Sequence, residues 1–101
     1  MRRAARLDDN HGQIVEALRN AGASVLSMAA LGKGVPDLLV WHGGTSGKGG
    51  GYYVIECKDG AKSPSHRVLT PDQVEWIARW RGPVHVVLCP ADALRVIGVT
   101  V

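Results

Sequence analysis

Gly34-Val35-Pro36-Asp37-Leu38-Leu39-Val40-Trp41 and, after a glycine-rich interval, Tyr52-Tyr53-Val54-Ile55-Glu56-Cys57-Lys58 decide how this chain is read. Asp37 to Trp41 is an apolar run too short for a helix, and Tyr52 to Lys58 is aromatic and β-branched, so both read as strands. The interval Gly43 to Gly51 is almost all Gly with Thr, Ser and Lys, the composition of a flexible hairpin loop. Glu56 and Lys58 are the charged residues of an otherwise apolar strand. Being two apart, they share a face. Charges in a central strand are expensive unless paired or functional. At the usual strand spacing of about 4.8 Å, a hairpin of these two strands lets Asp37 and Glu56 converge on one point.

Outward from this pair, the rest of the chain falls into alternating helices and strands. Asp8-Asp9-Asn10 offers capping side chains to a helix running to about Ala21. Leu7, Ile14, Leu18 and Ala21 form its apolar stripe, and Gly22 ends it. Ala23 to Met28 reads as a first strand and Gly32-Lys33-Gly34 as a turn. Asp59 to Leu69 is polar and irregular. Thr70-Pro71-Asp72-Gln73 is a strong helix start, with Thr as N-cap, Pro at the first position and Gln three residues after the cap. That helix runs to about Trp80, and Gly82-Pro83 stops it. Val84 to Leu88 is a fourth strand, and Pro90 to Ile97 a short last helix. The expected order is α-β-β-β-α-β-α, with no internal repeat and no dividing linker, hence a single α/β domain over residues 1–101.

A length of 101 residues suits one domain, and 46% hydrophobic residues suffice for a core. The formal charge of +3 (12 basic against 9 acidic) permits a polyanionic partner without demanding one. No apolar run approaches the roughly 18 residues of a membrane helix. Met1-Arg2-Arg3-Ala4-Ala5-Arg6 is basic, but no apolar segment follows it, so a cytoplasmic location is expected rather than secretion. Cys57 and Cys89 lie inside β-like runs. They read as reduced, buried thiols, although a disulfide between them is possible on paper.

Two converging carboxylates make a hard-oxygen site suited to Mg²⁺ or Mn²⁺. Such an ion polarises a phosphate oxygen and lowers the pKa of bound water, while Lys58 can orient that water or balance developing charge. This is equipment for hydrolysing a phosphodiester. The residues alone also allow a purely structural Glu56–Lys58 ion pair, with Asp37 as a turn residue at a strand start.

The segments Gly34-Val35-Pro36-Asp37-Leu38 and Tyr53-Val54-Ile55-Glu56-Cys57-Lys58, in this element order, resemble the PD-(D/E)xK nuclease superfamily. The small size and the Leu69-Thr70-Pro71-Asp72-Gln73 helix start look most like its stand-alone VRR-NUC (virus-type replication-repair nuclease) group, related to Holliday-junction resolvases. The resemblance covers nearly the whole chain and suits a bacteriophage domain. It implies a restriction-endonuclease-like core, a mixed central sheet flanked by helices. It further implies that Asp37, Glu56 and the Cys57 main-chain carbonyl ligate Mg²⁺, with Mn²⁺ as a substitute, and that Lys58 assists the nucleophile. Gln73 is expected near the site, and it equally completes a capping box with Thr70. Many relatives carry a metal-binding carboxylate on the first helix. Here Glu16 falls opposite the apolar stripe and Asp9 also points away, so that ligand is an amide, Gln13, or is absent.

Other features carry less. Gly43-Gly44-Thr45-Ser46-Gly47-Lys48 fails as a P-loop, because His42 stands at the first Gly position and Gly49 where Ser or Thr is needed. His11, His42, His66 and His85 show no zinc spacing. Lys33, Lys48, Lys62, Arg67 and, on a basic arm over residues 1–7, Arg3 are candidate DNA contacts of the salt-dependent, sequence-independent kind. Lys62, His66 and Arg67 read equally as a solvated loop, and the arm as a disordered tail. Trp76 and Trp80, four apart, suit core or dimer packing better than base stacking. The expectation is therefore a DNA endonuclease with one site per chain, acting as a homodimer on branched DNA such as a Holliday junction. Its rivals are a flap or duplex nuclease, a non-catalytic nucleic-acid-binding module, and an interaction domain with a structural ion pair.

Overall fold

A computed structural model describes residues 9–44 and 49–101. Within them run α1 (His11–Asn20), β1 (Ser24–Ser27), β2 (Leu38–His42), β3 (Gly51–Cys57), α2 (Pro71–Arg79), β4 (His85–Val87) and α3 (Pro90–Val96), with short 3₁₀ turns at Ala29–Leu31 and Pro64–His66. Leu7, Asp8 and the residues of the attempted P-loop from Thr45 to Lys48 lie outside the described residues.

The expected hairpin is present. β2 and β3 pair antiparallel with Leu38 opposite Ile55, Val40 opposite Tyr53 and Trp41 opposite Tyr52. β1 adds antiparallel to β2, and β4 adds parallel to β3, giving the order β1-β2-β3-β4. Parallel neighbours need a long crossover, and residues 58–84, containing α2, supply it. The result is a small α/β protein with a mixed four-stranded sheet and three helices. Strand ends retreat from the sequence reading: β4 keeps three residues, and Lys58 lies just past β3. Its N–H still donates to the Val87 carbonyl at 2.9 Å, so the ladder extends one bond further.

Alternation along the strands sorts the two faces. Leu38 and Val40, Ile55 and Cys57, and Val87 pack with Ile14 and Leu18 of α1 and Ala93 and Ile97 of α3 to form the core. The opposite face carries Leu26, Trp41, Tyr52 and Val86, all exposed, with the Trp41 and Tyr52 rings 5.0 Å apart.

α2 buries no residue. Trp76 and Trp80 stack on each other with centroids 4.9 Å apart, but Trp80 remains 46% exposed, so the core reading of this pair does not hold. The helical spacing was informative about which residues meet and silent about whether another layer covers them.

Two buried polar side chains do structural work, and Asn10 does so otherwise than expected. Asn10 stands at the N-cap of α1 without capping it. Its Nδ2 instead donates to the carbonyls of Lys58 (3.2 Å) and Leu88 (2.9 Å), tying the helix start to the ends of β3 and β4. His42 is buried with Nε2 3.1 Å from the Ala21 carbonyl, while Nδ1 accepts from Gly44 N at 3.2 Å. The two bonds require the tautomer protonated on Nε2. Of the cysteines, Cys57 is buried and Cys89 half-buried, and both are thiols.

Gly34 fixes where α2 begins. Its φ is +80°, and a Cβ there would lie 2.2 Å from the Asp72 carbonyl oxygen. No larger residue allows the turn before Asp37 to lie this close to the first turn of α2.

Candidate active site

Asp37 immediately precedes β2, where its carbonyl accepts from Met28 N at 2.6 Å. Its carboxylate Oδ2 accepts from the main-chain N–H of Cys57 at 2.9 Å. The β2–β3 pairing ends at Leu38 opposite Ile55, with Asp37 in the bend just before it. Asp37 and Glu56 thus flank the same end of the hairpin, and the Asp37 carboxylate is turned to the Cys57 N–H.

Glu56 is 2% exposed and Lys58 7% exposed. The Lys58 Nζ lies 3.9 Å from Glu56 Oε2. The same oxygen accepts from Gln73 Nε2 at 3.0 Å. Gln73 also closes the capping box: its N–H donates to Thr70 Oγ1 at 3.2 Å and its Oε1 accepts from Thr70 N at 2.8 Å. Gln73 makes the cap and the Glu56 contact at once, because an amide has a donor end and an acceptor end. A buried ion pair is a poor stability device, since desolvation offsets most of the Coulomb attraction.

The remaining candidates are dispersed. Gln13 is exposed on α1 and shares a cleft with Asn10, Asp59 and Arg67. Glu16 and Asp9 are exposed, as the stripe requires. Lys62 pairs with Asp9 at 3.6 Å. Arg67 donates to the Gly60 carbonyl at 3.4 Å. Lys33, exposed with a φ of 53°, lines a different cleft with Asp72, Glu75, Trp76 and Arg79. Lys48 and Arg3 lie outside the described residues.

His11 is a residue that sequence reasoning passed over. It is 7% exposed, and a ring nitrogen lies within 4.8 Å of both a carboxylate oxygen of Asp37 and Cys57 Sγ, which are equally close to each other. The signal was present: His11 precedes Ile14 by three and Leu18 by seven, so it lies on the buried stripe.

Compared with known proteins, the chain matches no family model, no curated protein and no solved structure.

Proposed function

We propose that the chain is a metal-dependent DNA endonuclease of the PD-(D/E)xK type, with a restriction-endonuclease-like core, acting on branched DNA. The observation that carries this reading is the buried Glu56, clasped by Gln73 and Lys58 and adjacent to Cys57, whose N–H holds the Asp37 carboxylate. The donor set fits Mg²⁺, since the Asp37 and Glu56 carboxylates with the Cys57 carbonyl are hard oxygens. Mn²⁺ suits the same donors. When bound there, the ion supplies Lewis acidity and a water of lowered pKa.

The protein's own groups do the positioning. The Cys57 N–H orients the Asp37 carboxylate, and the Gln73 amide orients that of Glu56. Lys58 holds a cation beside Glu56 in a water-poor environment, where a positive charge acts strongly on a phosphate gaining negative charge. Cutting two strands takes two such sites, and the exposed Leu26, Trp41, Tyr52 and Val86 offer an apolar face for a second copy. The preference for branched DNA rests on the VRR-NUC resemblance.

The test is cleavage of a labelled four-way junction beside linear duplex, with Mg²⁺, Mn²⁺ or EDTA, for wild type and Lys58→Ala. Metal-dependent cutting that disappears in Lys58→Ala and favours the junction is the expected result. Cutting that favours flaps or plain duplex replaces the resolvase with another nuclease. Absence of cutting in either metal, with DNA still bound, replaces the enzyme with a binding module.

A further inference from the structure

We infer that His11, Asp37 and Cys57 form a binding site for Zn²⁺, distinct in chemistry from the hard-oxygen set. The three residues offer a nitrogen, an oxygen and a sulfur, all within 4.8 Å of one another. Imidazole, carboxylate and thiolate are the donors zinc prefers, whereas Mg²⁺ avoids sulfur. Zinc bonds of about 2.0–2.3 Å place tetrahedral ligands roughly 3.4–3.8 Å apart. Modest side-chain rotation therefore closes the set around an ion.

A second observation points to a ligand. His11 is more than nine-tenths buried, and its Nδ1 has no hydrogen-bond partner among the described residues. A buried ring nitrogen left this way is costly in a folded protein. A metal ion in contact with the imidazole is a direct remedy. The donors come from three elements: His11 opens α1, Asp37 leads into β2, and Cys57 ends β3. Cys57 points away from Glu56 and Lys58, into the α1 side of the sheet, where it belongs to the core. Asp37 is only half-buried and gives an ion its route in. Three protein ligands leave a fourth position for water. Binding converts the Cys57 thiol to a thiolate and releases one proton to solvent.

Asp37 belongs to both donor sets, so zinc at this site withdraws it from the hard-oxygen set. Zinc is therefore expected to oppose Mg²⁺-dependent cutting. Only that consequence rests on the nuclease reading, and the site itself stands or falls by spectroscopy.

The experiment titrates the whole chain with Co²⁺ in Mg²⁺-free buffer, then displaces it with Zn²⁺. The expected result is one equivalent bound, with a thiolate-to-cobalt charge-transfer band. Cys89→Ser should leave this unchanged. Cys57→Ser should abolish the band, and His11→Gln should weaken binding more than about 10-fold, the lower end for even indirect contacts to a metal. Because both variants alter buried positions, X-ray absorption on the zinc-loaded wild type supplies the decisive reading. It should show one sulfur at about 2.3 Å with nitrogen and oxygen at about 2.0–2.2 Å. A sulfur-free shell, a band lost in Cys89→Ser but kept in Cys57→Ser, or no stoichiometric binding overturns the proposal.

Discussion

Gln73 Nε2 donates to Glu56 Oε2 at 3.0 Å while Gln73 Oε1 holds the N-cap through Thr70 N at 2.8 Å. One side chain thus couples the start of a helix to a buried carboxylate. Thr70→Ala removes one cap bond and leaves the Glu56 contact, so it should lower stability by about 1 kcal/mol without reducing cutting. Gln73→Ala should lower stability comparably and also reduce cutting at least about tenfold, the effect of about 1.4 kcal/mol on a barrier. Urea unfolding together with initial cleavage rates separates the two effects.

Gly34→Ala meets both a left-handed backbone and the Asp72 carbonyl, 2.2 Å from the new methyl group. Gly22 has a similar φ of +91° with nothing within 4 Å. Gly22→Ala should therefore cost about 1–2 kcal/mol, the left-handed penalty alone. Gly34→Ala should cost more and should impair cutting, because relief of the clash moves the first turn of α2 and Gln73 with it. Paired thermal melts of the two variants check the ordering.

Asn10→Ala leaves the Lys58 and Leu88 carbonyls without their shared donor. A loss of roughly 1–3 kcal/mol is expected from two lost hydrogen bonds, although the Leu88 carbonyl keeps the Gly60 N–H at 2.9 Å. Asn10→Asp should be worse, because it turns a carboxylate toward the same two carbonyls. Denaturant midpoints for both variants settle the order.

The hairpin and the two charges at its end are legible in the sequence because strand alternation is local. Val40 and Tyr53 face the helices or Trp41 and Tyr52 face away by parity alone. The Thr70–Gln73 cap is legible for the same reason. His11 and Asn10 are not, since their partners lie 26 to 78 residues away: Asp37 and Cys57 for one, Lys58 and Leu88 for the other. Stripe position marks His11 as buried, but only the fold says what it meets. The exposure of Trp80 is illegible in a different way: amphipathic spacing identifies an apolar side without revealing whether anything packs on it.

For the proposed homodimer, Trp41→Lys and Tyr52→Lys should shift sedimentation toward monomer while leaving the single-chain fold intact. Both side chains are already exposed, at 43% and 72%. A wild-type chain that is monomeric at concentrations where it cuts both strands overturns this arrangement.

A helix that buries none of its residues has little holding it in place. Local opening of α2 therefore requires far less free energy than global unfolding, and its amides should exchange with solvent earlier than those of β2 and β3. The helix carrying Gln73 can leave while the sheet stays intact. For the proposed nuclease, the Gln73–Glu56 contact would then be a reversible local event, with a temperature dependence of its own below the melting of the core.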